Sequence, residues 1–135
     1  MKTILITGST DGIGKLAATK LAKEGHQIIV HGRNSEKLQE TIAEIKETSH
    51  NDKITGFVSD LSDFSSIQKM ITELSLKISK IDVLINNAGV FKSAVQSNQD
   101  GLDLRLAVNY FGPYILTNGI IPLLKKSNSP RVINL

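Results

Sequence analysis

The sequence contains no cysteine and no tryptophan, and aromatic residues make up only 4% of its 135 positions. Without cysteine the chain has no disulfide framework, no thiol nucleophile and no thiolate metal site. Histidine is scarce as well: His26, His31 and His50 stand apart, in no metal-binding spacing and without an accompanying pair of carboxylates. We therefore expect solvated or strand-end histidines and no metal centre.

A strong charge of one sign and a long apolar run are also missing. Sixteen basic and thirteen acidic residues leave a formal net charge of +3, and the basic residues are scattered, which argues against a nucleic-acid partner. The most apolar stretch, "GPYILTNGIIPLL" at 112–124, is shorter and more interrupted than the ~20 residues of a membrane span. The first residues carry no signal-peptide pattern. We expect a cytoplasmic protein without a membrane span.

Short apolar runs alternate with stretches of helical periodicity along the chain. The runs predict strands over residues 3–7, 27–32, 53–59, 81–86 and 131–135, and the periodic stretches predict helices over 12–24, 35–48, 64–79 and 102–126. The runs are continuously apolar, which is typical of strands covered on both faces of a parallel sheet. The pattern predicts one α/β domain over residues 1–135 with a doubly wound parallel sheet.

Side-chain positions within these predicted helices can be assigned as well. Asn34 or Ser35 is expected to cap the start of the second helix. Ile13 is expected to join the apolar stripe of the first helix, and Leu106 that of the fourth.

The segment "TGSTDGIG" at 7–14 follows the first predicted strand and opens the first predicted helix. Gly8 permits a sharp turn out of the strand, Gly12 lets the backbone approach a pyrophosphate, and Gly14 lets the helix pack closely on the strand. The free N–H groups and the positive end of the helix then face the phosphates. The alternative is a tight turn whose glycines occur by chance, but the strand and helix on either side favour the dinucleotide turn.

The spacing Thr-Gly-x-x-x-Gly-x-Gly resembles the short-chain dehydrogenase/reductase family. Three later segments resemble that family too, in the same order: "DL" at 60–61, "NNAG" at 86–89 and "VNYFGPY" at 108–114. The details of "NNAGVF" and "RVINL" are most similar to the branch that contains retinol dehydrogenases and WW-domain oxidoreductases. The resemblance covers the whole chain.

The resemblance implies a Rossmann-type sheet with strand order 3-2-1-4-5, truncated after the fifth strand. It also implies that a nicotinamide dinucleotide lies along the glycine turn, with Asp60 and Leu61 beside the adenine. Asn87, Ala88 and Gly89 would follow its ribose and phosphates, or "NNAG" would simply be a strand-ending turn. The predicted cofactor-binding residues are Gly8, Ser9, Thr10, Gly12, Ile13, Gly14, Arg33, Asn34, Asp60, Leu61, Asn87, Ala88 and Gly89.

Arg33 indicates which nicotinamide cofactor is bound. An NAD site usually carries an Asp or Glu about 20 residues after the glycine turn, at the end of the second strand. Here residues 31–34 read "HGRN" without a carboxylate, and an arginine can fork onto a 2′-phosphate. One such bond is worth roughly 1.5–3 kcal/mol, or about ten- to hundredfold in affinity. NADP(H) is therefore predicted over NAD(H), with Ser9, Thr10 and Asn34 adding contacts.

The alternative is that Arg33 is an ordinary surface arginine after a strand. One observation opposes the prediction of NADP(H). Asp11 places a carboxylate near the expected phosphates, which is unfavourable unless the side chain points away.

Catalytic residues are expected only in part. The family uses Tyr-x-x-x-Lys and a serine for proton transfer. The chain has two tyrosines, Tyr110 and Tyr114, and neither is followed by a lysine four residues later: those positions are Tyr114 and Asn118. Asn109 matches the family's helical asparagine and is the one catalytic candidate. Pro113 has no N–H, so the Asn109 carbonyl should lose its helical partner, bend the helix and accept a water. The alternative is a plain proline kink with Asn109 bonding locally.

The resulting prediction is an NADP(H)-dependent oxidoreductase that acts on a small-molecule carbonyl or alcohol. The chain would be the cofactor-binding half and inactive alone. The alternatives are a non-catalytic nucleotide-binding or interaction module and a ligand-free structural domain. A homo-oligomer is also expected, through the edge strand 131–135 or the helix 102–126, because an apolar sheet edge invites pairing.

Overall fold

The computed structural model describes residues 1–135 and contains five strands and six α-helical segments. The strands are β1 (Thr3–Ile6), β2 (Gln27–Gly32), β3 (Ile54–Val58), β4 (Val83–Asn86) and β5 (Arg131–Asn134). The helices are α1 (Gly12–Lys23), α2 (Ser35–Ser49), α3 (Phe64–Lys77), α4 (Leu104–Leu106), α5 (Gly112–Gly119) and α6 (Ile121–Leu124), with a π-helical turn at Ala107–Phe111. The predicted alternation of strands and helices is confirmed.

All five strands are parallel and stand in the order β3-β2-β1-β4-β5. The order is the one that the resemblance implied. In the centre of the sheet, Ile6 of β1 lies between Val30 of β2 and Ile85 of β4. The carboxyl ends of these three strands therefore meet at one edge, where ligands bind in sheets of this type.

The sheet is covered on both faces, as its continuous apolar runs predicted. Leu5 belongs to the cluster of fifteen buried residues on the side of α3, α5 and α6. Its neighbours Ile4 and Ile6 belong to the cluster of eleven on the side of α1 and α2. Successive side chains of one strand thus enter two separate cores.

Helix α1 packs on the sheet through small residues. Its buried positions are Gly14, Ala18 and Ala22, each four residues after the last. The expectation that Ile13 joins this stripe is wrong, because Ile13 is 75% exposed. Ile13 lies about 100° around the helix from Gly14, away from this buried row, and therefore faces solvent.

Each of the three long helices begins with a side-chain cap. Asp11 accepts from Gly12 N–H, and Asp63 accepts from two N–H groups of α3. Asn34, one of the two predicted caps, accepts from Lys37 N–H at 2.9 Å. These caps satisfy backbone donors that the first turn of a helix leaves unpaired.

The prediction of a single helix over 102–126 is wrong, because that region is divided into α4, the π-helical turn, α5 and α6. Gly112 N–H bonds to the carbonyl of Ala107, five residues earlier, and Pro113 has no N–H with which to continue an α-helical ladder. Leu116 of α5 is fully buried, whereas the expected core residue Leu106 is 45% exposed.

Strand β5 lies at the edge of the sheet with only β4 beside it. Its residues Arg131–Asn134 are all exposed. The edge position that the resemblance implied is therefore present, although the apolar character of the strand is typical of burial. None of the helices combines the length and the apolar character needed to cross a membrane.

At the amino ends of β1 and β4 lies a buried carboxylate. Asp82, which is 4% exposed, accepts from Thr3 N–H at 2.7 Å and from the Ser127 hydroxyl at 2.6 Å. Lys80 Nζ stands 3.3 Å from Asp82 Oδ1, the oxygen that also accepts from Ser127. Burial alone raises the pKa of Asp82, but the hydrogen bonds from Ser127, Thr3 and Lys80 together hold it below its ordinary value.

Candidate functional site

The opposite edge of the sheet, at the carboxyl ends of the strands, carries an open cleft of about 420 Å³. This volume is within the usual range of about 300–1,000 Å³ for ligand pockets. Many of the predicted cofactor residues line it together: Gly8, Thr10, Arg33, Asp60, Leu61, Asn87, Ala88 and Gly89. The other predicted cofactor residues do not line the cleft and lie in the adjoining turn and at the starts of α1 and α2: Ser9, Gly12, Ile13, Gly14 and Asn34.

The glycine turn has the close packing that its spacing predicts. Gly8 has φ +62, a conformation that favours glycine, and a side chain there would meet Ala88 Cα at 2.8 Å. A Cβ on Gly14 would strike the Gly8 carbonyl and would lie 2.5 Å from Asn87 Nδ2. The first turn of α1 can therefore rest directly on the end of β1 only because both positions are glycine.

Part of the backbone in this turn is left without partners. The N–H groups of Thr10, Asp11, Ile13 and Gly14 donate to no atom of the protein, whereas Gly12 N–H donates to its capping residue. Unpaired N–H groups at the start of a helix bind anions, because the helix dipole adds partial positive charge there. The turn therefore fits a pyrophosphate.

His31 supports this turn from beneath, a role that the sequence analysis did not predict for it. It stands at the end of β2, as expected, but it is buried rather than solvated, with 2% exposure. Gly8 N–H donates to His31 Nδ1 at 3.0 Å, and His31 Nε2 lies 2.9 Å from the Ser59 carbonyl. Since a carbonyl only accepts, Nε2 carries the proton and Nδ1 is the acceptor. Burial lowers the pKa of His31 to about 4, so the ring is neutral.

The hydroxyl of Ser9 is used inside the protein. It donates to the Ile6 carbonyl at 2.7 Å and accepts from His31 N–H at 2.9 Å, and the residue is fully buried. These bonds join the ends of β1 and β2. Ser9 therefore positions the turn and presents no hydroxyl to the cleft.

Thr7 and Asn87 hold the turn against the loop after β4. The Thr7 hydroxyl accepts from the N–H groups of Asn87 and Ala88, both at 3.0 Å. The Asn87 amide donates to the carbonyls of Thr7 and Gly8, each at 3.1 Å. The "NNAG" segment thus ends a strand and lines the cleft at the same time.

Asn109 lies in the π-helical turn, and its side chain reaches the loop after β4. Its Oδ1 accepts from Val90 N–H at 2.7 Å, and its Nδ2 donates to the Val90 carbonyl at 2.8 Å. The bonding is therefore not local but joins residues 19 positions apart. Because Gly89 and Val90 line the cleft, this amide fixes one of its walls.

Positive charge collects at the adenosine side expected for the cofactor. Arg33, which is exposed, lines the cleft together with Lys37. The sequence analysis did not predict Lys37 as a site residue. Its position could have been inferred, because Lys37 stands in the first turn of the helix that begins two residues after Arg33.

Lys37 Nζ lies 3.1 Å from Asp11 Oδ2. The hydrogen bonds from Lys37 and from Gly12 N–H hold the pKa of Asp11 below its usual range. Asp11 does not point away from the cleft but lines it.

Metal-ligating side chains and the two tyrosines were the other candidates for a site. No group of three or more histidine, aspartate or glutamate side chains is placed to hold a metal ion. Tyr110 and Tyr114 are each 62% exposed on the helical surface.

A family model described as short chain dehydrogenase matches residues 2–135. Polyprenol dehydrogenase of Homo sapiens is 36% identical over 129 residues, which are 96% of this chain and 39% of that protein. Retinol dehydrogenase 13 of Homo sapiens is 34% identical over 134 residues, which are 99% of this chain and 40% of that protein. The chain thus spans about two-fifths of the length of these curated relatives.

Solved structures give the same result. A short chain dehydrogenase from Shigella flexneri superimposes with a TM-score of 0.85 at 28% identity, covering 98% of this chain and 61% of that one. A short chain dehydrogenase from Escherichia coli complexed with NADPH has a TM-score of 0.83 at 28% identity, covering 97% of this chain and 56% of that one.

Proposed function

The chain belongs to the short-chain dehydrogenase family, and from this premise we propose that its cleft binds NADP(H) in preference to NAD(H). The observation that carries the proposal is the pair of cations Arg33 and Lys37 at the cleft, where residues 31–34 supply no carboxylate. A guanidinium forks onto a phosphate, and an ammonium adds a point charge. The NADPH-complexed structure from Escherichia coli is consistent with this choice.

The remaining contacts follow from the unpaired backbone of the glycine turn. The N–H groups of Thr10, Asp11, Ile13 and Gly14 would hold the pyrophosphate. Asp60 and Leu61 would lie beside the adenine, and Asn87, Ala88 and Gly89 along the riboses. When bound, the cofactor supplies or accepts a hydride, and the wall that Asn109 fixes through Val90 positions the nicotinamide side of the cleft. A role for Asn109 in a water relay stays a prediction.

Titration of the protein with NADPH and NADH tests the cofactor proposal. The nucleotide's own fluorescence is the readout, because the chain has no tryptophan. We expect NADPH to bind more tightly, and Arg33→Ala to weaken NADPH about ten- to hundredfold while NADH changes little. Arg131→Ala, on exposed β5, is the control. Equal affinities for both nucleotides in the unsubstituted protein would contradict the proposal.

For the whole protein we propose oxidation of an alcohol or reduction of a carbonyl. Two relatives are named polyprenol dehydrogenase and retinol dehydrogenase 13, and both names point to alcohols. Residues 1–135 contain no Tyr-x-x-x-Lys pair, so we expect no turnover from these residues alone. Oxidation of NADPH by the 135-residue chain with a carbonyl substrate would refute that expectation.

The second candidate is a non-catalytic nucleotide-binding or interaction module, for which the cations and the unpaired N–H groups at the cleft would be sufficient. The coding DNA after Leu135 separates the two. A reading frame that continues to a Tyr-x-x-x-Lys segment supports the oxidoreductase, whereas a stop codon supports the module.

We also propose that this chain forms a homo-oligomer through the edge of β5 or through the region 102–126. Val132 and Ile133 are 40% and 41% exposed on that edge, and an exposed apolar edge tends to pair with another strand. Light scattering at rising concentration is the test, and a clean monomer throughout would contradict the proposal.

A further inference from the structure

The ion pair between Asp11 and Lys37 lies in the cleft itself, beside Arg33. We infer that Asp11 limits the preference for NADP(H) over NAD(H), because it holds the Lys37 ammonium that a 2′-phosphate would otherwise engage. The inference rests on the proposed function, because it concerns how strongly the same site distinguishes the two cofactors.

The two carboxylate oxygens of Asp11 have separate partners. Oδ1 accepts from Gly12 N–H at 2.9 Å and caps α1, whereas Oδ2 stands 3.1 Å from Lys37 Nζ in the first turn of α2. The side chains of Asp11 and Lys37 are 84% and 49% exposed. A pair this exposed is weak and opens readily, because water screens both charges. Lys37 is therefore available to a stronger anion.

The two cofactors differ at this place by one group. A phosphate monoester carries about −1.5 to −2 charges at neutral pH, which is more than a carboxylate offers to Lys37 and Arg33. NADP(H) must take Lys37 from Asp11 and must also bring its phosphate close to the Asp11 charge. NAD(H) presents only a hydroxyl and leaves the ion pair closed. Asp11 thus weakens the binding of NADP(H) in two ways, by competing for Lys37 and by repelling the phosphate. It hardly affects the binding of NAD(H).

Asp11→Asn isolates this effect. The asparagine keeps an oxygen for Gly12 N–H, and asparagine caps helices as well as aspartate does, but the charge at Lys37 is lost. We expect NADPH affinity to rise about two- to fivefold and NADH affinity to change less than about twofold. The gain should shrink as salt rises, because the Debye length falls from about 10 Å at 0.1 M to about 3 Å at 1 M.

A second ion pair gives a matched control. Lys15 Nζ and Glu44 Oε2, 2.7 Å apart, also join α1 to α2, but neither residue lines the cleft. Glu44→Gln should leave the ratio of NADPH to NADH affinity unchanged. Lys37→Met should lower NADPH affinity, and in that background Asp11→Asn should recover less than it gains in the unsubstituted protein.

The titrations separate the two proposals. If the unsubstituted protein binds neither nucleotide, the proposed function fails and this inference fails with it. If it binds NADPH while Asp11→Asn leaves the NADPH to NADH ratio unchanged or lowers it, the inference alone is overturned. The same holds if Glu44→Gln raises the ratio as much as Asp11→Asn does. Circular dichroism of each variant verifies that α1 and α2 are retained.

Discussion

The two ends of the parallel sheet carry polar networks of different kinds. At the amino ends, Asp82 accepts hydrogen bonds from Thr3 and Ser127, and both Thr3 and Asp82 are buried. At the carboxyl ends, His31 and Ser9 join the strand ends in the same way, but above them the glycine turn keeps unpaired N–H groups. The network at the amino ends therefore only stabilises the fold. The network at the carboxyl ends stabilises the fold and also leaves backbone N–H groups without partners.

The difference shows how one edge of the sheet is stabilised while backbone donors at that edge remain without partners. Gly8 N–H gives its hydrogen bond to His31 below the turn, and the amide of Asn87 fixes the turn from the side. The N–H groups that face the cleft then need no partner within the protein. A substitution at the amino ends should change the stability of the protein alone, and one at the carboxyl ends should change both stability and binding.

The largest effect is expected at Gly14. Gly14→Ala would place a methyl group against the Gly8 carbonyl and Asn87 Nδ2, and neither can move without disturbing the turn. We expect a loss of about 3 kcal/mol in the free energy of unfolding and loss of nucleotide binding. Denaturant unfolding and NADPH titration measure the two effects.

Gly25→Ala at the other end of α1 is the control for that substitution. Gly25 has φ +88 but open space around its Cβ position. We expect a cost of about 1 kcal/mol from backbone strain with binding retained. Loss of binding in Gly25→Ala, or intact binding in Gly14→Ala, would break the distinction between the two ends of α1.

The next largest effect is a pH dependence of the free energy of unfolding, caused by His31. Its pKa is about 4 in the folded protein and 6.5 ordinarily, so between these values the unfolded chain binds a proton that the folded protein does not. The free energy of unfolding should therefore fall by about 2–3 kcal/mol as the pH drops from 6.5 to 4. Denaturant unfolding at several pH values measures this slope.

His31→Gln should flatten that slope between pH 6.5 and 4, because it removes the titrating ring. His50→Asn, at the exposed end of α2, should keep it. If the His31→Gln protein retains the whole slope, another group is responsible and the role of His31 is wrong.

A smaller effect, confined to stability, is expected at the opposite edge. Asp82→Ala leaves the buried Thr3 N–H without an acceptor, at a cost of about 1–3 kcal/mol, while NADPH affinity should stay unchanged.

The effect of Asp82→Ala should also depend on pH. Because the pKa of Asp82 is lowered on folding, the contribution of this carboxylate to the free energy of unfolding is present at neutral pH and is lost as the pH falls below about 4. The difference in unfolding free energy between the two proteins should shrink there. Asp100→Ala, in an exposed loop, is the control, and any change of affinity in Asp82→Ala would argue that the two ends are coupled.

The smallest effect is expected at Asn109. Asn109→Ala removes two exposed hydrogen bonds to Val90, so we expect a loss of about 1 kcal/mol or less and a modest weakening of nucleotide binding. Hydrogen exchange at Val90 N–H should rise specifically. Unchanged exchange at that amide would show that the side chain does not hold the loop.

Local features of this protein were predictable where their causes are local. The strand runs, the glycine turn and the Asn34 cap each depend on residues within one turn or one strand. The single helix over 102–126 was wrong because helical periodicity outweighed Pro113 and Pro122. The inclusion of Ile13 in the apolar stripe of α1 was wrong because the buried row of that helix runs through Gly14, Ala18 and Ala22.

The sequence by itself determined the two-sided parallel sheet, the glycine turn after the first strand and the arginine that follows the second strand. Only the tertiary structure decided that His31 is buried beneath Gly8, that Asn109 reaches Val90, and that Asp11 pairs with Lys37. Their partners are 23, 19 and 26 positions apart. Such contacts depend on which strands become neighbours and how closely α1 and α2 approach, and the packing of the core sets both.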